Sequence, residues 1–262
     1  MSIGTSLTEL FPDGDYRFHL TLRRGEPADF FRPQDPTGRV LAERRRWLAE
    51  APARYGQLQP AGEASCAEFA ELAAGWGIRC APTIVSLGGA LEPDLLFLSP
   101  DAGGRFVLRG GALCFPTGWA LEEKIGHPME LIHGVVPGLN AALASPIQQF
   151  LSKLKPGVAF LRDNWGLAGT DELNLHPARK MAPPQEPVAL DRLWLRVEHQ
   201  ALLALPRSNG IAFGIRIALH RMDAVARGPA AAGLRHALAS MPADLADYKR
   251  LNAVRDKVIA LL

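Results

Sequence analysis

Two histidines, His127 and His133, lie six residues apart in a segment dense with glycine, proline and large apolar residues, ALCFPTGWALEEKIGHPMELIHGVVPG at 112–138. A neutral imidazole offers a lone pair to a metal ion without first losing a proton. His133 follows a leucine and an isoleucine and precedes a Gly-Val-Val-Pro-Gly turn, a setting that suits an axial haem ligand and equally suits a histidine packed in the core. His127 is the second candidate, although its glycine and proline neighbours also favour an exposed turn.

Three further runs hold the other polar candidates: RDNW at 162–165, RVEH at 196–199 and LPRS at 205–208. The common catalytic signatures are missing, since the chain has no G-x-x-x-x-G-K-[ST], no G-x-S-x-G, no H-E-x-x-H and no G-x-G-x-x-G that opens a helix. Nucleotide-binding and hydrolase functions therefore lose their usual support.

The charge balance argues against nucleic acid as a main partner. The 262 residues carry 29 Lys and Arg against 27 Asp and Glu, a formal net charge of +2, and no block of like charges stands out. The densest basic run, Arg44 to Arg46, is typical of the solvated face of a helix.

The cysteines and the apolar pattern indicate the compartment. Cys66, Cys80 and Cys114 are odd in number and form no C-x-x-C pair, which disfavours a disulfide framework and a zinc ribbon. The chain begins without a signal-peptide pattern and contains no run of eighteen apolar residues. We therefore expect a soluble, cytoplasmic protein without a membrane partner.

Periodicity predicts the elements that must position these residues. A period of 3.6 predicts helices over 37–54, 65–76, 120–126, 146–154, 230–240 and 243–262. Alternation and short apolar runs predict strands over 16–22, 95–98 and 158–167, and a hairpin around Gly110 and Gly111. A proline-containing loop joins residues 170 and 187.

Period two is clearest in two strands near the C-terminal third. In the first, Leu193, Leu195 and Val197 face away from Trp194, Arg196, Glu198 and Gln200, and in the second, Ile211, Phe213, Ile215 and Ile217 face away from Ala212, Gly214, Arg216 and Ala218. The small residues of that last set leave room for a bulky ligand. With no repeat or linker, one α+β domain over residues 1–262 with helical flanks is the expected architecture.

Three ordered motifs carry a family resemblance: CFPTGWALEEKIGHPMELIHGVVPG, LRDNW and RVEHQALLALPRSNGIAFGIR. Together they resemble the haem-dependent oxidative N-demethylase family, over roughly Phe30 to Arg216. The resemblance implies a PAS-like antiparallel sheet with flanking helices and helical N- and C-terminal extensions. It also implies haem b as cofactor, and oxidative removal of a methyl group from a small secondary amine with O2, releasing formaldehyde.

The resemblance assigns His133 as the iron ligand, with His127 as the fallback. It assigns Glu198 to a protonated amine, with an ion pair to Arg196 or Arg216 as the alternative.

The remaining positions are weaker matches. The haem propionates would need cations, and the positively charged residues within the motifs are Lys124, Arg207 and Arg216. Asn164 and Trp165 match the family's NW pair and would line the distal side, the alternative being a strand end with a core tryptophan. Cys114, with no expected positive neighbour, is interpreted as a small buried residue rather than a thiolate ligand.

The chain also departs from the family. It is shorter than the family's enzymes and has no flavin or iron-sulfur motif of its own, so separate flavin or iron-sulfur proteins would supply electrons. A PAS-like haem pocket is also compatible with a gas sensor, and a degenerate member would bind another small molecule without haem.

Overall fold

A seven-stranded antiparallel sheet forms the centre of the computed structural model, which describes residues 4–12, 14–18 and 21–262. The strands follow one another across the sheet in the order β1-β5-β6-β7-β3-β4-β2. Their bounds are β1 (Arg23–Gly25), β2 (Gly56–Leu58), β3 (Asp94–Pro100), β4 (Phe106–Ala112), β5 (Ala159–Ala168), β6 (Trp194–Leu205) and β7 (Gly210–Arg221). The expected α+β class with an antiparallel sheet and flanking helices is confirmed.

Helices precede, interrupt and follow these strands. Their bounds are α1 (Leu7–Leu10), α2 (Pro27–Phe31), α3 (Arg39–Glu50), α4 (Pro52–Tyr55), α5 (Glu63–Gly75), α6 (Ile84–Ala90), α7 (Met129–His133), α8 (Leu139–Ser152), α9 (Met222–Ala226), α10 (Ala231–Ser240), α11 (Ala243–Tyr248) and α12 (Arg255–Leu261). No helix in the described part of the chain is long and apolar enough to span a membrane.

The two faces of the sheet have different covers. Face A, which carries Val197, Ala201 and Ala212, packs against α2 to α6 at one end and against α9 to α12 at the other. Face B, which carries Glu198, Gln200, Ile215 and other residues of the opposite register, packs against α8 through Ile147 and Leu151. The period-two assignment of β6 and β7 is confirmed.

The room expected beside the small residues of β7 is absent. A Cβ atom on Gly214 would lie 2.7 Å from Cε1 of both Phe30 and Phe31. These two rings come from α2 and stack edge to face, 5.1 Å between centroids. The small residues of face A therefore accommodate core aromatic rings, and a bulky ligand does not fit there.

The hairpin expected around Gly110 and Gly111 is wrong, because both glycines lie inside β4. A Cβ on Gly110 would be 2.2 Å from the carbonyl oxygen of Gln57, and one on Gly111 would be 2.2 Å from that of Leu95. The glycines permit β2 and β3 to approach β4 closely on its two edges. The turn of the hairpin lies earlier, at 101–105.

Other boundaries also differ. The strand expected over 16–22 is displaced to β1, with His19 and Leu20 outside the described residues and no strand in the described remainder. The helix expected over 243–262 is two helices, separated near Arg250, whose φ of 56° is incompatible with a continuous right-handed helix. A 3-10 helix replaces the helix over 120–126, and α8 begins earlier than expected.

Arg44 does not lie on a solvated face. It is fully buried, donates to Asp94 Oδ1 at 2.5 Å and to the Gly88 carbonyl at 2.8 Å, and thereby ties α3 to α6 and β3. The Arg44 to Arg46 run is thus divided between core and surface, because a helix turns each successive residue by about 100°.

Candidate functional site

Glu198 is a buried carboxylate on face B that is held by neutral donors. It accepts hydrogen bonds from Thr117 Oγ1 at 2.6 Å, from Gln200 Nε2 at 2.9 Å and from Asn164 Nδ2 at 3.3 Å. Asn164 lies directly across from it on β5. Hydrogen bonds from neutral groups stabilise the carboxylate without cancelling its charge.

The ion pair considered as an alternative for Glu198 does not form among the described residues. Arg196 donates instead to Thr117 Oγ1 at 2.9 Å and to the carbonyl oxygens of Phe115 and Leu173 at 2.8 and 2.7 Å. Arg216 projects from face A, where it pairs with Glu92. The nearest cations therefore influence Glu198 only across a gap.

Two more cations flank the carboxylate on the side of β5. Arg162 lies opposite Gln200, and within the described residues its guanidinium has no hydrogen bond or ion pair. Burial lowers the pKa of Arg162, and the charge of Glu198 acts in the opposite direction. Lys249 donates to the carbonyl oxygen of Trp165 at 2.6 Å, and burial lowers its pKa to about 8.

Face B is open above Gly166. A Cβ atom there would meet no atom of the described residues within 4 Å, although Gly166 lies inside β5 and pairs with Arg196. Arg162 and Asn164, on the same face of the strand, are likewise only partly buried. A shallow opening therefore lies above Gly166 on face B, two residues along β5 from Asn164, which contacts Glu198.

His133 ends α7 and is partly buried. Removal from water lowers its pKa to about 4, and the charge of Arg162 acts in the same direction. The imidazole is therefore neutral at pH 7, with one nitrogen lone pair available. The described residues contain no group of three or more His, Cys, Asp and Glu side chains arranged for a metal ion.

Apolar side chains surround this part of face B. Leu131 and Val135, beside His133, are 57% and 53% exposed. Partly buried apolar residues continue the surface between α7, α8 and the sheet: Met129, Ile132, Leu143, Phe150, Phe213 and Ile217. The site thus combines apolar walls with a few polar groups, as small-molecule sites do.

The other predicted cations lie elsewhere. Arg207, in the turn between β6 and β7, pairs with Glu71 of α5 at 2.6 Å, and Arg216 donates to the Phe30 carbonyl at 2.8 Å beside its ion pair with Glu92. Lys124 follows the 3-10 helix at Leu121–Glu123 and is partly buried. The structure brings neither Arg207 nor Arg216 together with His133.

Three remaining candidates, His127, Trp165 and Cys114, lie away from Glu198 and His133. His127 is exposed, and its carbonyl oxygen accepts from the Leu108 amide at 3.0 Å. Trp165 points away from Asn164 into the core of face A, 5.0 Å from the ring of Phe11. Cys114 is buried and, contrary to expectation, close to Arg44, but burial dominates and raises its pKa to about 12.

Four polar residues of the site were assigned no role from the sequence. Arg162 and Gln200 share the period-two face of Asn164 and Glu198, so strand alternation alone could have identified them. Thr117 and Lys249 are far from Glu198 in sequence and reach it only through the fold.

One comparison with known proteins bears on this site. A protein-family model described as haem-dependent oxidative N-demethylase, alpha subunit-like, matches residues 80–259. The match covers more than two thirds of the chain and includes His133, Arg162, Glu198 and Lys249.

Proposed function

Because the chain belongs to the haem-dependent oxidative N-demethylase, alpha subunit-like family, we propose that it binds haem b through His133 and demethylates a small secondary amine oxidatively. O2 is the proposed oxidant and formaldehyde the proposed product. Separate flavin or iron-sulfur proteins are the proposed electron donors.

The residues around His133 fit a haem chemically. The neutral imidazole offers the lone pair that an axial ligand needs. Arg162 has a guanidinium with no other anionic partner at hydrogen-bond distance among the described residues, which suits a propionate. Leu131, Ile132 and their apolar neighbours suit the porphyrin rim and faces.

The opening above Gly166 indicates on which side of His133 the cofactor would lie. The cavity that borders His133 between α7 and α8 has a volume of about 10 Å³, room for a single water molecule. A porphyrin is far larger, so it would lie against face B, where an added Cβ on Gly166 meets no atom. Bound there, haem iron supplies the activation of O2 that oxidation of a methyl carbon requires.

The observation that carries the proposal is the Glu198 carboxylate, buried and held by three neutral donors beside this opening. A secondary amine is protonated near neutral pH, and its N–H groups would donate to Glu198 in a poorly hydrated site, where charge-assisted hydrogen bonds are strong. Thr117, Asn164 and Gln200 fix the carboxylate, and the bound ammonium would therefore hold its methyl group in one orientation.

An absorption spectrum tests the cofactor. Protein purified after haem supplementation should show a Soret band, and His133→Ala should abolish or strongly shift it. His127→Ala, which alters an exposed histidine six residues away, is the matched control and should leave the band unchanged. Absence of the band in the unaltered protein would refute haem binding, and an unchanged band in His133→Ala would refute the ligand.

Amine binding tests Glu198. Loss of a charged hydrogen-bond partner costs about 1.5–3 kcal/mol, so Glu198→Gln should weaken dimethylammonium binding roughly 10- to 150-fold. Uncharged dimethyl ether, of similar shape, should bind both proteins equally. Formaldehyde release from dimethylamine with an added electron source separates an enzyme from a gas sensor, which would bind diatomic gases without turnover.

A further inference from the structure

Two buried side-chain oxygens lack a hydrogen-bond donor within the described residues: Oε2 of Glu130 and Oδ1 of Asn140. Both residues line the cavity of about 10 Å³ that His133 also borders. Buried acceptors are almost always paired, with protein or with ordered water. Two unpaired acceptors in one small cavity therefore indicate a missing donor.

Local structure places both acceptors beside His133. Glu130 and His133 are three residues apart on α7, so their side chains share one face of the helix. Asn140, in the first turn of α8, donates through Nδ2 to the carbonyl oxygen of Glu130 at 2.7 Å. A carbonyl oxygen only accepts, so this bond fixes the orientation of the amide and leaves Oδ1 as the acceptor directed elsewhere.

His133 is the donor that the cavity offers. A neutral imidazole has one N–H group in addition to its lone pair. Of the other lining residues, Met129, Ala144 and Ile147 have no N–H or O–H group in the side chain, and the Gln148 amide already uses one of its two N–H groups on the Gly104 carbonyl at 2.7 Å. Neither ring nitrogen of His133 has a hydrogen bond among the described residues. The imidazole donates to neither oxygen directly among the described residues, so one water molecule in the cavity would bridge the ring to them.

We propose that Glu130 and Asn140 are positioning residues for His133: they receive its ring N–H through one water molecule, and so leave the lone pair of the other nitrogen for the iron. This inference rests on the proposed function for its use of His133 as the ligand. A carboxylate acceptor fixes the ring tautomer and makes the imidazole a more basic ligand.

The haem-free protein tests the positioning alone. Nitrogen-15 NMR of the imidazoles should show His133 in one tautomer in the unaltered chain and in a mixture of both in Glu130→Ala. His127, exposed and outside the cavity, serves as the internal control and should not change. A single, unchanged His133 tautomer in Glu130→Ala would overturn the inference, whether or not haem binds.

The haem-loaded protein tests the effect on the ligand. Glu130→Gln keeps the shape of the side chain but removes its charge, so the iron–histidine stretching frequency of the ferrous protein should fall and haem loss to apomyoglobin should accelerate roughly 10- to 100-fold. Glu123→Gln, at an exposed carboxylate, is the matched control. Equal stretching frequencies and equal rates of haem loss in the two variants would refute the positioning role. Failure of the unaltered protein to bind haem would refute the proposed function, and the NMR result would then decide whether Glu130 positions His133.

Discussion

Gly166 of β5 and Gly214 of β7 both lie inside long strands but differ in the space around them, and this difference predicts which face of the sheet receives a ligand. In the part of the chain that the structure describes, a Cβ on Gly166 would meet no atom within 4 Å, whereas one on Gly214 would lie 2.7 Å from ring carbons of Phe30 and Phe31. Neither glycine has a positive φ, so both backbones accept an L-residue without strain.

Alanine at the two positions should therefore have opposite effects on stability. Replacing glycine within a strand gains about 0.5–1 kcal/mol because the unfolded chain loses conformational freedom. At Gly166 nothing offsets this gain. At Gly214 the added carbon overpacks two aromatic rings, which costs about 1–3 kcal/mol, so we expect a net loss of roughly 1–2 kcal/mol.

Urea denaturation of the two alanine variants measures this difference, and haem titration of a third variant measures its consequence. Gly166→Leu fills the opening on face B and should weaken haem binding at least about tenfold, a loss of roughly 1.4 kcal/mol, without loss of stability. Wild-type haem affinity in Gly166→Leu would refute the location of the cofactor on face B. Equal stabilities of the two alanine variants would refute the assignment of face A as fully packed.

Three further predictions concern titration and burial. The pKa of His133 is about 4 in the folded chain against 6.5 for a free histidine, so below pH 6.5 the unfolded chain binds a proton that the folded chain does not. Lowering the pH from 7 to 5 should therefore reduce the free energy of unfolding of the haem-free protein by about 2 kcal/mol more than that of His133→Gln, as measured by urea denaturation. Equal losses in the two proteins would contradict the lowered pKa. Arg44→Leu leaves the Asp94 carboxylate buried without its cation, so it should lower the free energy of unfolding by about 3–5 kcal/mol in the same assay. A loss under about 1 kcal/mol would be inconsistent with burial of the pair. Iodoacetamide at pH 8 should modify the partly buried Cys80 but not Cys114, because burial raises the pKa of the Cys114 thiol to about 12. Mass spectrometry that shows rapid labelling of Cys114 in the folded chain would contradict this prediction.

Alternation could predict the part of the site that lies within strands. Residues two apart in β5 and β6 share a face, so the pairing of Asn164 with Glu198 needed only correct strands and a register. The same alternation separates Trp165 from Asn164, which is why two adjacent motif residues occupy opposite sides of the sheet.

Alternation could not predict what covers each face. Small residues on β7 are compatible with a ligand or with large side chains from elsewhere, and the rings of Phe30 and Phe31 come from a helix about 180 residues earlier in the sequence. The partners of Arg216 and Arg207 likewise lie on distant elements. Such long-range contacts leave no local pattern, so a charge in a motif does not reveal whether another residue already neutralises it.

Glu198 is the informative residue of the site because no cation of the described residues contacts its carboxylate directly. The buried carboxylate of Asp94 differs from that of Glu198, because the Arg44 guanidinium lies 2.5 Å from it and the two charges neutralise each other within the core. Glu198 is also buried, but among the described residues it receives only neutral donors, while Arg162 and Lys249 act on it without hydrogen bonds. If the Glu198 carboxylate had only a structural role, we would expect Arg162 or Lys249 to contact it directly and neutralise its charge. Leaving the carboxylate without a direct cation is costly to stability, and a cationic ligand that binds at the opening would remove that cost, so we expect an ammonium ion to stabilise the folded chain and Glu198→Gln to abolish that stabilisation.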